Sequence, residues 1–337
     1  VQTCALPISA VVLSPTQALL ASIFGAESTG TYAAAALTAG TANEWTTAQV
    51  LKGGSIYAIG VDATAGNIRS IGCVRQVLTG VVTLREDGRD DGDNLDDLYP
   101  LRTFYPARAT QTARTFRFIG PEAAFDLLLV GCVIADPVKM DLSAGGIVQA
   151  EFTFTFTDWN WSTGAAVVTP AEPAYYPPIV GLRHARLTLN GGSTGTPDPT
   201  GTCGLESVML TITPAIRVEK CHGARQGVYN RAVDGLTAEI SFTVPHSSAV
   251  MSGTDTIFDL SLQNRTGMTV WFELGDTPGT LMAFGMPGAR VVSRTPIKVG
   301  ADIVAWDVTL VSGTIVTPDA VATVGAAKDA PFCLGLG

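Results

Sequence analysis

Three histidines, six cysteines and one dense acidic run carry whatever reactive or ion-binding chemistry this chain could have. His184, His222 and His246 lie far apart in the sequence. His246 precedes Ser247 and Ser248, but neighbouring residues on a strand point to opposite faces, so this trio does not set a base beside a nucleophile. Cys221-His222 offers two metal ligands, and no second Cys/His pair follows at ligand spacing. The cysteines (Cys4, Cys73, Cys132, Cys203, Cys221, Cys333) include no CxxC pair, which removes zinc-ribbon and thioredoxin-like readings. Cys203 and Cys221 could approach each other across a hairpin, and the sequence leaves their bonding open.

The acidic run EDGRDDGDNLDD invites comparison with a calcium loop. With Gly92 as the turn glycine, Asp87, Arg89 and Asp91 take the first, third and fifth positions and Leu98 the twelfth. Arginine donates no oxygen, and leucine cannot replace the closing bidentate glutamate, so the motif fails. A nucleophile elbow, a phosphate-binding loop and an HExxH helix are all missing from the sequence. The expectation is a non-enzyme with no catalytic, cofactor-binding or metal-binding residue.

The same run has a second reading. Residues 85–106 carry Glu86, Asp87, Asp90, Asp91, Asp93, Asp96 and Asp97, and residues 101–117 carry Arg102, Arg108, Arg114 and Arg117 with no acid. A long loop at 85–117, acidic first and basic next, suits pairing with another copy of itself. Asp90, Asp91 and Asp93 opposite Arg102 and Arg108 are the expected inter-subunit contact.

Composition points the same way. Only 15% of the residues are charged, 46% are hydrophobic, and the mean hydropathy is +0.29. So little charge suits a chain whose apolar surface is taken up by a membrane or a large protein interface. The charge-free run Val1–Ala26 is interrupted by Pro7, Ser9, Ser14, Pro15, Thr16 and Gln17, which leaves it short of a membrane span. A self-associating assembly is therefore expected, with no membrane. The net charge of −9 argues against binding nucleic acid by phosphate neutralisation, yet suits a wall past which nucleic acid slides.

The elements that would position these residues are mostly strands. Glu151–Thr157 alternates strictly, with Phe152, Phe154 and Phe156 on one face and Glu151, Thr153, Thr155 and Thr157 on the other, the pattern of a half-buried antiparallel strand. Further strand-like runs are SIYAIGV, IRSIGCVRQV, VVTL, ARLTLNGG, ESVMLTITP, LTAEISFTV, MTVWFELG and DIVAWDVTLV. Ser14-Pro15 before TQALLASIF, with Gly25 beyond, marks one short helix. The proline-rich segment PAEPAYYPP cannot join a sheet interior and reads as a linker. The resulting division is an arm and helix at 1–50, a β domain at 51–168, the linker at 169–180, a second β domain at 181–313 and a tail at 314–337. The order of turns, prolines and lysines in 120–156 is echoed in 279–311, which suggests duplication.

Several of these segments, in order, resemble the tail tube (major tail) proteins of long non-contractile-tailed bacteriophages. SPTQALLASIFGAES is similar to the family's N-terminal helix, RSIGCV to a strand ending in Gly-Cys, and LLVGCVIADPVKMDLSAGGIVQAEFTFTF to its central block. The resemblance implies a mainly β fold with two tandem sandwich or barrel domains whose sheets join those of neighbours. It implies a trimeric ring with pseudo-sixfold symmetry if the halves are duplicated, and a hexameric ring otherwise. Rings would stack into a tube, meeting other tail proteins at its ends. DNA would pass through the lumen without specific binding, and the protein would be assembled in the host cytoplasm and reside in the virion tail. A different β-rich module (baseplate, adhesin or carbohydrate-binding) is the alternative, with Trp159/Trp161 and Tyr175/Tyr176 as sugar-stacking pairs.

Overall fold

The computed structural model describes residues 3–8, 20, 23–28, 33–39, 44–46, 56–59, 70–78, 81–84, 95–106, 114–119, 126–142, 149–162, 186–189, 207–224, 227–245, 268–274, 281–299, 303–313 and 330–337. Leu20, Ile23 and Phe24 are helical, and their i, i+3, i+4 spacing puts three fully buried side chains on one stripe. The rest is mainly strand. The first strands are β1 (Thr3–Ile8), β2 (Gly25–Ser28), β3 (Ala33–Ala39), β4 (Glu44–Thr46), β5 (Ile56–Ile59), β6 (Ser70–Leu78) and β7 (Val81–Leu84). Then come β8 (Leu95–Pro100), β9 (Arg102–Pro106), β10 (Arg114–Ile119), β11 (Asp126–Ile134), β12 (Val138–Asp141), β13 (Gln149–Thr155) and β14 (Asp158–Ser162). The later part holds β15 (Arg186–Leu189), β16 (Val208–Lys220), β17 (Val228–Pro245), β18 (Met268–Leu274), β19 (Met282–Val299), β20 (Ile303–Val311) and β21 (Cys333–Leu336).

Every described ladder is antiparallel. One large sheet runs β10-β11-β13-β12-β16-β17-β20-β19-β21-β9-β2, with β1 added to β13, β14 to β11, and β15 to β18, which itself pairs β19. A second, smaller sheet is ordered β3-β4-β7-β6-β5-β8, and β8 also pairs with β3. The large sheet crosses the expected linker position through the β12–β16 ladder, where Val138 faces Ile212 and Met140 faces Leu210. The two sheets meet at Ile56: its N–H donates to Thr103 Oγ1 (2.9 Å), and its carbonyl accepts from Leu101 N–H (2.9 Å).

One face of the large sheet makes the core. Val138, Met140, Val208, Leu210, Ile212, Ala238, Ile240, Phe242, Val308 and Leu310 alternate inward on four neighbouring strands. β-branched and aromatic side chains fit this pleated surface, which is why these runs fold as strands. The outward positions between them are polar apart from Met209: Lys139 faces Glu151 on one side and Thr211 on the other, and Thr211 faces Glu239.

Four prolines lie in the long strands β16, β17 and β19, each where its strand is paired on one side among the described residues; Pro287 of β19 pairs with Thr269 of β18, past the end of β21. Pro214 of β16 lies past the end of β12, Pro245 of β17 past the end of β16, and Pro296 of β19 past both β18 and β21. A proline lacks the N–H for a second ladder, so these are the positions it can occupy.

Several expectations need correction. The strand expected at 151–157 is buried on both faces over 152–156, since Thr153 and Thr155 are buried along with Phe152, Phe154 and Phe156, while Glu151 stays exposed and Thr157 is half-buried. The cause is its place inside the sheet and a side chain from β17 that covers Thr155. The stretch 85–117 is not one exposed loop, because it contains β8 and β9 and the start of β10, with Leu101, Thr103 and Phe104 fully buried. The N-terminal arm docks as β1 on β13 of its own chain. The C-terminal residues, expected as a tail or a second docking arm, dock as β21 between β19 and β9 of the same chain, with Phe332 and Leu334 fully buried.

Candidate functional site

Of the residues expected to make contacts between subunits, Arg102 is described. It lies on β9 opposite Leu336 of β21, half-buried, with its guanidinium 5.8 Å from the centre of the Phe104 ring. Stacking on an aromatic face suits the planar, weakly hydrated arginine head. Asp90, Asp91, Asp93 and Arg108 lie outside the described residues, so the pairing with Arg102 does too. His184, His246, Cys203, Tyr175 and Tyr176 are likewise outside them.

The candidate surfaces that are described belong to hairpins and edges. The longest hairpin joins β16 to β17 through a turn at Cys221–Gly227, closed by Cys221 N–H to Gly227 O (3.1 Å) and Gly227 N–H to Ala224 O (2.9 Å). Gly227 adopts φ +71°, a left-handed conformation that glycine tolerates best. Cys221 and His222 are both exposed in this turn, and the Cys221 thiol is free. Val218 (44% exposed) and Tyr229 (73%) leave apolar surface on the last turnward part of the hairpin. Arg217 bridges to Glu219 (3.6 Å) and Asp234 (3.3 Å), exposed pairs that contribute little stability.

Behind that exposed end the hairpin is anchored. Arg231 of β17 is buried, and its Nη1 donates to Thr155 Oγ1 on β13. Burial pushes its pKa down, because removing water penalises the charged form. The nearby Gly-Cys motif has a definite local cause. Gly131 has φ +69°, and a Cβ there would come 2.0 Å from Thr157 Oγ1, so residue 131 must be glycine for the Thr157 hydroxyl to reach Val130 O (3.0 Å). Cys132 next to it is buried with Leu129 and Phe156, as a small hydrophobe.

On β14, Trp159 packs against the Leu129–Cys132–Phe156 cluster, while Trp161 is 53% exposed. The two therefore differ in role, and Trp161 alone of this pair presents most of its ring to solvent. On β19, Val292 (60% exposed) sits at a register shift between Val291 and Ser293, two residues before Arg294, whose guanidinium lies 3.9 Å from the Trp306 ring centre. Sequence reasoning missed both arginine–aromatic contacts and the Arg231–Thr155 anchor, since each joins residues on different turns of the topology or depends on strand direction.

Among the described residues, no group of three His, Cys, Asp or Glu side chains is placed to share a metal ion. No helix among them is long and apolar enough to cross a membrane. What the described arrangement leaves exposed is apolar surface at a hairpin end (Val218, Tyr229) and at Trp161 and Val292. Compared with known proteins, the chain matches no family model and no curated sequence.

Proposed function

We propose that this protein is a structural component of a bacteriophage tail, a tube protein that self-assembles into stacked rings and forms the conduit for DNA. The observation that carries the reading is the block Leu127–Thr157, whose sequence resembles the central segment of such proteins and whose strands β11, β12 and β13 form the hub of the large sheet. The β12–β16 ladder supports it as well. It joins the first half of the chain to the second by backbone hydrogen bonds, the kind of junction that ring closure would repeat between chains. Two tandem tube-like β domains in one chain would make a trimer a pseudo-sixfold ring. The low charge fits a surface consumed by assembly, and the net charge of −9 fits a bore that does not retain DNA.

Negative-stain electron microscopy of the purified protein over a range of concentrations tests this. Rings or tubes with a central bore a few nanometres wide are expected, and their symmetry separates three chains from six. Compact monomers at high concentration would overturn the proposal.

The alternative, a glycan-binding β module, draws on the exposed ring of Trp161 on an edge strand. A monodisperse protein that binds a glycan array, and loses binding on Trp161→Ala, would favour it.

A further inference from the structure

The β16–β17 hairpin has two unlike halves. Toward its base, β16 is flanked by β17 and by β12 (through Met209–Ile212), and β17 is flanked by β20 from Glu239 to Pro245. At Ala238 the flank ends with Ser312, whose N–H donates to Ala238 O (2.8 Å) and whose Oγ accepts from Ala238 N–H (3.0 Å); beyond Ile212 and Ala238, among the described residues, the two strands pair with each other alone. A two-stranded ribbon is marginally stable on its own in water, so packing must hold this half down.

The changeover between the halves is built as a joint. Pro214 stands opposite Leu236, Gly235 stands opposite Ala215, and the register shifts between Ala215 and Ile216. A proline, a glycine and a bulge together interrupt the ladder within a few residues. Past the joint, Ala232 and Val233 are buried and Ile216 packs against the core, while Val218 and Tyr229 are exposed.

The remaining anchor is Arg231. Its Nη1 donates to Thr155 Oγ1, yet its buried Nε has no hydrogen-bond partner among the described residues. A buried donor left unsatisfied carries a standing penalty that water would relieve on opening.

We propose that the distal ribbon, Ile216–Lys220 with Val228–Val233, is a hinged strap latched on β13 by the Arg231–Thr155 contact. It opens about Pro214 and Gly235 while the rest of the sheet stays folded. Opening hydrates the guanidinium and bares Ile216 and Val233, so the latch controls access to apolar surface now covered. The inference does not depend on the tail tube reading.

Residue-resolved hydrogen–deuterium exchange of the full chain tests it. Amides of 216–220 and 228–233 are expected to exchange through an opening that amides of 239–243 do not share. Thr155→Val removes the acceptor and should speed exchange of the distal set by about tenfold, leaving 239–243 unchanged. Arg231→Met keeps the bulk and removes the donor of the same contact, so it should speed the distal set as well. Equal acceleration of both sets by Thr155→Val would overturn the proposal. So would an Arg231→Met protein whose distal amides exchange no faster than those of the parent.

Discussion

Gly131 and Gly227 share a backbone conformation and differ in what surrounds them. Both have φ near +70°, but a Cβ at 227 meets nothing within 4 Å, whereas at 131 it meets Thr157 Oγ1 at 2.0 Å. Gly227→Ala should therefore cost only the left-handed penalty, about 1–2 kcal/mol. Gly131→Ala should cost that and a further ~1–3 kcal/mol for overpacking. Urea unfolding of the two variants measures the difference, and equal costs would show that residue 131 is glycine for its dihedral alone. Adding Thr157→Ala to Gly131→Ala should recover part of the loss. A second contrast belongs at this scale. Phe152→Ala, from a fully buried position, should cost about 3–5 kcal/mol, and its exposed neighbour Glu151→Ala within about 0.5 kcal/mol.

At the scale of elements, β21 illustrates how distant segments are locked together. Phe332, just before it, packs edge-on to Phe24 of the helical stripe (centroids 5.7 Å) and against Phe284 of β19 (6.2 Å), while Phe24 also meets Phe104 of β9 (6.1 Å). Phe332→Ala should cost about 3–5 kcal/mol and weaken amide protection across β9 and β21 together. If protection were lost in β21 alone, the cluster would not be the link between these strands. The sequence made some of these elements plain and hid others. Alternation marked 240–244 and 304–310 as strands, and Ile240, Phe242, Val308 and Leu310 meet the core there while Ser241 and Thr309 between them are half-buried. It also marked VVTL, which is β7 residue for residue. ESVMLTITP was expected to stop at its proline, but β16 continues to Lys220, since Pro214 needs no second ladder where β12 has ended. β21 has no period-2 pattern to read, because all four of its residues are buried. Of the expected contact residues, Arg102 was legible as a charge and not as a partner of Phe104, because a loop was expected where β9 puts the two on one strand.

For the whole molecule, the β12–β16 ladder decides whether the chain unfolds in one step or two. A boundary at a proline-rich linker predicts halves with separate cores and separate transitions. The ladder places Met140 from the first half opposite Leu210 from the second, and both lie in one buried cluster with Phe152, Ile240 and Leu310. Burial shared across the halves couples their stabilities, because neither can open without exposing the other's side chains. Calorimetry of the parent chain should therefore show one cooperative transition. Met140→Ala should remove about 2–5 kcal/mol and move that transition down as a unit, by roughly 2–4 °C for each kcal/mol lost. Two transitions, with one shifted by Met140→Ala and the other left in place, would mean that the halves fold independently and that the ladder is a contact between domains.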